Sequence, residues 1–348
     1  MFDLNKILRP NVKALKPYSS ARDEFSDADI DGVFLDANEN PYGSLNRYPD
    51  PYQKDLKAAI SRIKGVPVKN IFLGNGSDEV IDICYRTFCQ PGIDKAISFS
   101  PTYGMYGVSA SINDVKMIDI PLDKHFNIEY EKVAPYFNDD KVKLLFICSP
   151  NNPSGNCMDK ETIEKILSNF NGIVIIDEAY NDFSGVPSYS KELDKYPNLI
   201  VLQTFSKAYG LASIRIGMAF TSESIIGYFN KMKPPYNISK INQLAALERL
   251  NNMDDFSKQL NSILSERKTV VEELKKLPIT IKVYPSDANF ILAETTNAND
   301  IYNYLVDNNI IVRNRNTVVN NCLRITIGTP DENKKLIQAL ADYSTTNA

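Results

Sequence analysis

Hydrophobic and polar positions follow two regimes along the chain. Between about residues 70 and 220, short apolar runs recur: "NIFLG" (70–74), "KAISFS" (95–100), "VKMIDIPL" (115–122), "KLLFICS" (143–149), "GIVIIDE" (172–178), "LIVLQTF" (199–205) and "RIGMAFT" (215–221). Segments with helical spacing, such as 78–90 and 159–170, separate them. Strands alternating with helices at this interval predict a mainly parallel sheet covered by helices on both faces. In such sheets ligands bind outside the carboxyl ends of the strands, where the connecting loops lie.

The rhythm changes near "KMKPPYNISK" (231–240), after which a helical region rich in Leu, Glu and Lys runs over roughly 239–276. Then come "ANFILAE" (288–294), a helix near 299–308, "IIVRN" (310–314), "CLRITIG" (322–328) and a last helix near 331–342. The predicted fold is α/β: a three-layer, mainly parallel sheet in a large domain, with a smaller α+β domain whose sheet is partly antiparallel. The expected division is an N-terminal segment over 1–45, a large cofactor-binding domain over 46–235 and a small domain over 236–348. The first segment lacks strand–helix rhythm, and we expect it to pack with the small domain and over the site.

Composition narrows the function classes. The 348 residues are 43% hydrophobic and 24% charged, too apolar for a disordered chain. The net charge of −4 is spread along the length, without the basic stripe that a nucleic-acid surface wants. No apolar run of 18 residues occurs and the start has no apolar signal core, so we expect no membrane span and a cytoplasmic protein. Five cysteines without a CxxC pair fit buried thiols in a reducing compartment. A single histidine, His125, sits in the polar stretch "PLDKHFNIEY" and reads as a solvated loop. That argues against a Ser-His-Asp triad or a two-histidine zinc site.

Four loops at predicted strand ends carry the candidate chemistry. "GNGSDE" (74–79) follows a strand and opens a helix, which makes it either an anion site or a plain turn capped by Ser77 or Asp78. It has neither the GK[ST] of a phosphate-binding NTPase loop nor a third glycine, which weakens ATP and NAD readings. "CSPNNPSGN" (148–156) forms a rigid turn presenting the Asn152 amide. "IVIIDEAYNDF" (173–183) ends an apolar strand on Asp177 and Glu178, and a carboxylate there calls for a cationic partner unless it is exposed. In "TFSKAYGLASIRIG" (204–217), the hydroxyls of Thr204 and Ser206 and the guanidinium of Arg215 suit a phosphate. Lys207, if desolvated there, becomes an amine nucleophile; otherwise it is an ordinary surface lysine. A phosphorylated aldehyde with a protonatable ring nitrogen uses the whole kit, and pyridoxal 5'-phosphate is such a ligand.

"SPNNPSG", "DEAY" and "TFSKAYGLASIRIG", in this order, resemble the fold-type I, class I/II aminotransferases that use pyridoxal phosphate. "LDANENPYG" (35–43), "LNRYPDP" (45–51), "PTYGMY" (101–106) and "IIVRN…CLRITIGT" (310–329) are similar to the histidinol-phosphate aminotransferases among them. The resemblance spans about residues 10–342. It implies that Lys207 anchors the cofactor covalently and shuttles a proton, and that Asp177 keeps the pyridine nitrogen protonated. It implies further that Tyr180 and Asn152 bond the 3'-oxygen of the ring and that Tyr103 stacks on it. Ser77, Asp78, Thr204, Ser206 and Arg215 would bind the cofactor phosphate, with Tyr48 reaching that of the neighbouring subunit in a homodimer.

For substrates the resemblance implies L-histidinol phosphate and the glutamate/2-oxoglutarate pair, in two half-reactions of histidine biosynthesis. Arg324 would clamp the α-carboxylate and Arg313 the substrate phosphate, with Arg315 as the alternative and Tyr18 and Tyr236 as helpers. Ser154 and the Ala212-Ser213 pair depart from the family pattern at positions without a catalytic role. Neighbouring readings are an aromatic amino-acid aminotransferase and a threonine-phosphate decarboxylase. A more remote one is a non-catalytic aminotransferase-like sensor, against which the lack of a preceding helix-turn-helix pattern counts.

Overall fold

A computed structural model describes residues 2–18 and 33–346. The apolar runs become strands β1 (Ile71–Asn75), β2 (Lys95–Ser100), β3 (Lys116–Pro121), β4 (Val142–Cys148), β5 (Ile173–Asp177), β6 (Leu199–Thr204) and β7 (Ile216–Phe220). They form one sheet in the order β1-β7-β6-β5-β4-β2-β3. Strand β7 runs antiparallel to both its neighbours, and every other pairing is parallel. Because β7 is reversed, its first residue lies at the edge where the other strands end. Arg215, just before it, therefore reaches the same loops as Asn75, Cys148, Asp177 and Thr204.

Side chains of the central strands alternate between two buried clusters. Leu145, Ile147, Val174, Ile176 and Val201 fill one face, and Leu144, Phe146, Ile173, Ile175 and Ile200 fill the other. Burial on both faces explains why these runs are continuously apolar rather than alternating. Helix Ser77–Phe88 packs its Val80, Ile81, Cys84 and Phe88 on the second face.

The start of the N-terminal segment departs from expectation, while residues 19–32 of it lie outside the described residues. Ile7 and Leu8 are buried in that second cluster, and Arg9 donates from its backbone N–H to Thr87 O (3.1 Å) and from Nη1 to Arg86 O (2.9 Å). Residues 2–14 thus grip the outer helix of the large sheet instead of the small domain. Their apolar side chains find an uncovered strip there, which local sequence does not reveal.

The remaining strands β8 (Thr280–Val283), β9 (Phe290–Thr295), β10 (Arg313–Asn314) and β11 (Cys322–Thr326) form a second sheet, ordered β10-β11-β9-β8. All its pairings are antiparallel, and β8 was not foreseen. The helical region predicted over 239–276 is two helices, Lys240–Asn251 and Met253–Lys275. Asn252 breaks them with φ −118° and ψ 60°, and its side chain caps the second by accepting from Asp255 N. No helix among the described residues is long and apolar enough to cross a membrane. All five cysteines are free, four of them buried and Cys157 half-buried, and His125 is exposed in its turn as expected.

Candidate active site

The carboxyl-end loops of β1, β4, β5 and β6 converge on one pocket. Its walls include Ser77, Asp78, Tyr103, Asn152, Asp177, Tyr180, Thr204, Ser206, Lys207 and Arg215, together with Cys148 and Ala179, which the sequence did not single out. Register explains the convergence: Asp177 lies beside Cys148 on one side and Leu202 on the other, and Gly217 lies opposite both Thr204 and Gly74.

The helix that begins at Ser77 has Gly76 at its N-cap and no side-chain cap, so neither Ser77 nor Asp78 closes it. Its first N–H groups remain available for an anion. Gly76 holds φ +82°, and a Cβ there would lie 2.6 Å from Arg215 Nη2. Gly217 is needed for close approach, since its Cβ would meet Ser77 N at 2.2 Å. Arg215 itself takes the left-handed conformation (φ 52°), rare for a side-chain-bearing residue. From there it donates to Ser206 Oγ (3.3 Å) and Ala212 O (3.2 Å) and pairs with Asp78 Oδ2 at 3.4 Å. Thr204 Oγ1 donates to Ser206 Oγ and accepts from Ser206 N.

Asp177 is 3% exposed, and the expected cation is not its direct partner. Its Oδ2 accepts from the Tyr106 hydroxyl (2.7 Å) and its Oδ1 from Ala179 N (3.0 Å). Burial raises its pKa; the Tyr106 and Ala179 bonds oppose that rise and Asp78 adds to it. Tyr106 is 1% exposed, stacked on Phe146 at 4.8 Å between centroids. Glu178, next along, turns to the opposite side of the strand. It is held there by Ser188 Oγ, Gln203 Nε2 and Tyr189 N, all neutral donors, and burial pushes its pKa up to about 7.

Of the two adjacent asparagines, Asn151 builds the loop. Its amide donates to Pro101 O (3.0 Å) and Ser154 Oγ (2.8 Å) and its oxygen accepts from Thr102 Oγ1. Asn152 then faces the site, donating weakly to the Tyr180 hydroxyl (3.5 Å) and accepting from Arg324 Nη1 (2.6 Å). Tyr103 donates from its hydroxyl to Asp78 Oδ1 (3.0 Å).

Lys207 as a whole residue is exposed, but its ammonium is walled by the pocket, 5.4 Å from the Tyr180 ring centroid. Burial of that ammonium lowers its pKa, Arg324 and Arg215 lower it further, and Asp177 opposes them. Burial also pushes the Cys148 thiol up to about 12, so it stays protonated.

Arg324 on β11 reaches the pocket through Asn152, and Arg313 is its direct cross-strand partner. The remaining candidates, Tyr48 for the neighbouring cofactor phosphate and Tyr236 and Tyr18 for substrate, lie elsewhere. Tyr48 and Tyr236 stack on one another at 4.3 Å between centroids and line a separate groove with residues 37–39 and 239–241. Tyr18 is 74% exposed at the edge of the described residues.

Residues 23–340 match the family described as aminotransferase class I and II. The chain belongs to this family. Among curated relatives, the aminotransferase is 50% identical to the histidinol-phosphate aminotransferase of Cytophaga hutchinsonii, covering 98% of this chain and 99% of that one. It is 53% identical to the one from Parabacteroides distasonis, again over 98% and 99%. Among solved structures it resembles the histidinol-phosphate aminotransferase from Clostridium acetobutylicum with a TM-score of 0.79 and 26% identity, covering 87% and 92% of the two chains. The seven-stranded sheet with its reversed strand is thus the fold-type I aminotransferase sheet.

Proposed function

We propose that this aminotransferase moves an amino group between L-histidinol phosphate and 2-oxoglutarate, in histidine biosynthesis, with pyridoxal phosphate as cofactor. The observation that carries the reading is one pocket with Lys207 and Asp177 on its walls, bordered by Arg324 and its cross-strand partner Arg313.

The residues fit the cofactor chemically. A phosphate suits the uncapped helix start at Ser77, the Thr204 and Ser206 hydroxyls and Arg215, around the space that a Cβ on Gly76 would invade. A protonated ring nitrogen suits Asp177, a buried carboxylate whose direct partners are two neutral donors. Bound pyridoxal phosphate supplies an aldehyde that bonds covalently to amines and a ring that withdraws electrons from the substrate's Cα.

The chain's own residues do the rest. Lys207, with its pKa lowered, holds a larger fraction of neutral amine near neutral pH and is the nucleophile toward that aldehyde. With the cofactor in place, Lys207 Nζ would be the base that holds and moves the proton at the substrate's Cα. Asp177, oriented by the Tyr106 hydroxyl, would hold a positive charge on the ring nitrogen. Tyr180 and Asn152 would hydrogen-bond a ring oxygen, and Tyr103 would cover a face of the ring. Arg324 binds the α-carboxylate of glutamate or 2-oxoglutarate, and Arg313 the phosphate end of histidinol phosphate, with Tyr18 and Tyr236 as further contacts.

The working form is a homodimer in the cytoplasm. In the stretch leading to the Tyr48–Tyr236 stack, Leu35 (87%), Tyr42 (83%) and Leu45 (61%) are strongly exposed, apolar surface that a second copy would cover. Tyr48 then serves the partner's phosphate site rather than its own, consistent with its distance from the pocket.

Lys207→Ala tests the assignment. The wild-type protein mixed with pyridoxal phosphate should retain a visible absorption band after desalting and form glutamate from L-histidinol phosphate and 2-oxoglutarate. The variant should lose both covalent retention and turnover. Unchanged turnover in the variant would refute the role of Lys207.

A further inference from the structure

Strand pairing concentrates positive charge beside the pocket more than one phosphate ligand requires. Arg313 lies directly opposite Arg324, and Asn314 opposite Leu323, which is buried in the small domain's core. Alternation along a strand puts Arg313 and Arg324 on the other face, toward the pocket, as the Arg324–Asn152 bond confirms. The ladder continues one residue further, with Arg315 N donating to Cys322 O (2.9 Å). Arg315 therefore returns to the face of Arg313 and Arg324. Its backbone is pinned, because Arg315 O accepts from both Val318 N and Val319 N at 2.8 Å.

Three guanidiniums thus share one face, and among the described residues none makes an ion pair. Nε of Arg315 and Nε of Arg324 are buried without a hydrogen-bond partner. Burial lowers the pKa of Arg315, and the nearby charges of Arg324 and Arg313 lower it further. Such a cluster is costly unless an anion enters it. A carboxylate is planar and is satisfied by one fork, whereas a phosphate monoester is a tetrahedral near-dianion with three acceptor oxygens. Arg313 is exposed, while Arg315 is half-buried and more desolvated, which strengthens its pull on a multiply charged oxyanion.

We propose that Arg315 is a third guanidinium of the substrate-anion site and makes its far end select a phosphate monoester over a carboxylate. Resting on the transamination reading above, the inference assigns Arg324 to the α-carboxylate, and Arg313 with Arg315 to the distal group. The γ-carboxylate of glutamate or 2-oxoglutarate needs only Arg313; the phosphate of L-histidinol phosphate engages both.

The test is a split between the two half-reactions of the holoenzyme, followed separately by the cofactor's absorbance. Arg315→Gln should raise KM for L-histidinol phosphate about 10- to 100-fold while KM for glutamate stays within about threefold. Arg315→Lys, which keeps the charge without the fork, should fall between wild type and Gln. Inorganic phosphate, as a competitive inhibitor of the glutamate half-reaction, should bind the wild type and lose affinity in Arg315→Gln. Unchanged constants in both half-reactions would overturn the assignment, and so would an equal loss in both, since that marks a structural role. If L-histidinol phosphate is not a substrate of the wild type, the transamination reading fails. The phosphate inhibition still decides Arg315 in that case. If Arg315→Gln does not fold, Arg315→Lys carries the same split.

Discussion

Replacing Tyr106 by phenylalanine isolates the electrostatics of Asp177. The variant keeps the ring that stacks on Phe146 and removes only the hydroxyl that donates to Asp177 Oδ2 at 2.7 Å. No sizeable cavity forms, so the hydrogen bond dominates the effect. A bond to a charged group contributes about 1.5–3 kcal/mol, and a neutral one about 0.5–1.5 kcal/mol. Burial has raised the pKa of Asp177 in the fold, so the folded state holds this proton more tightly than the unfolded chain. Stability from this group is therefore fully present at low pH and lost as pH rises through the folded titration. Tyr106 limits that loss, and the variant deepens it. In the cofactor-free protein, Tyr106→Phe should cost about 1.5–3 kcal/mol where Asp177 is ionised and about 0.5–1.5 kcal/mol where it is protonated. Urea unfolding followed by circular dichroism across a pH series measures this. A cost that is independent of pH, or larger on the acid side, would refute the reasoning.

Other consequences are equally direct. Gly76→Ala places a methyl 2.6 Å from Arg215 Nη2, at a φ of +82° and ψ of 164° that is essentially restricted to glycine, and the backbone alone costs about 1–3 kcal/mol. The cofactor should dissociate at least tenfold more readily, measured by equilibrium dialysis, whereas unaltered retention would argue against a phosphate cradle at Gly76. Glu178, raised from 4.5 to about 7, should make stability fall by roughly 3 kcal/mol as pH rises from about 4.5 to about 7. Glu178→Gln should flatten that slope in denaturant titrations, and a slope left intact would place its origin elsewhere. Asn152→Ala removes the acceptor that Arg324 Nη1 uses at 2.6 Å, so KM for glutamate should rise several-fold, by about 1 kcal/mol of lost positioning. An unchanged KM would show that Arg324 needs no such support.

Much of the site was readable because its chemistry sits at the ends of apolar runs. Lys207, Asp177, Asn152 and Arg215 each follow or precede a strand that the hydrophobic pattern locates, and the fold does bring them to one pocket. What escaped depends on contacts far apart in sequence or on the choice between neighbours. Tyr106 is one aromatic among several in "PTYGMY", and its partner Asp177 is 71 residues away. Asn152 was chosen over its neighbour, but the reason lies 50 residues away, in the Pro101 carbonyl that takes the Asn151 amide. Strand alternation sends Glu178 away from Asp177, yet only the neutral donors from residues 188–203 show why no cation is needed there. The place of the first helices was missed because the cluster that Ile7 and Leu8 join, which also holds Val80 and Phe229, is assembled from distant segments.

The central claim is transamination of a phosphorylated amino alcohol, and a substrate panel on the holoenzyme tests it most directly. With 2-oxoglutarate as acceptor, glutamate should form from L-histidinol phosphate at least roughly a hundredfold more efficiently than from L-histidinol, the difference expected from two charge-assisted bonds to phosphate. Faster turnover of tyrosine or phenylalanine than of L-histidinol phosphate would contradict the claim, as would carbon dioxide release from threonine phosphate without glutamate formation.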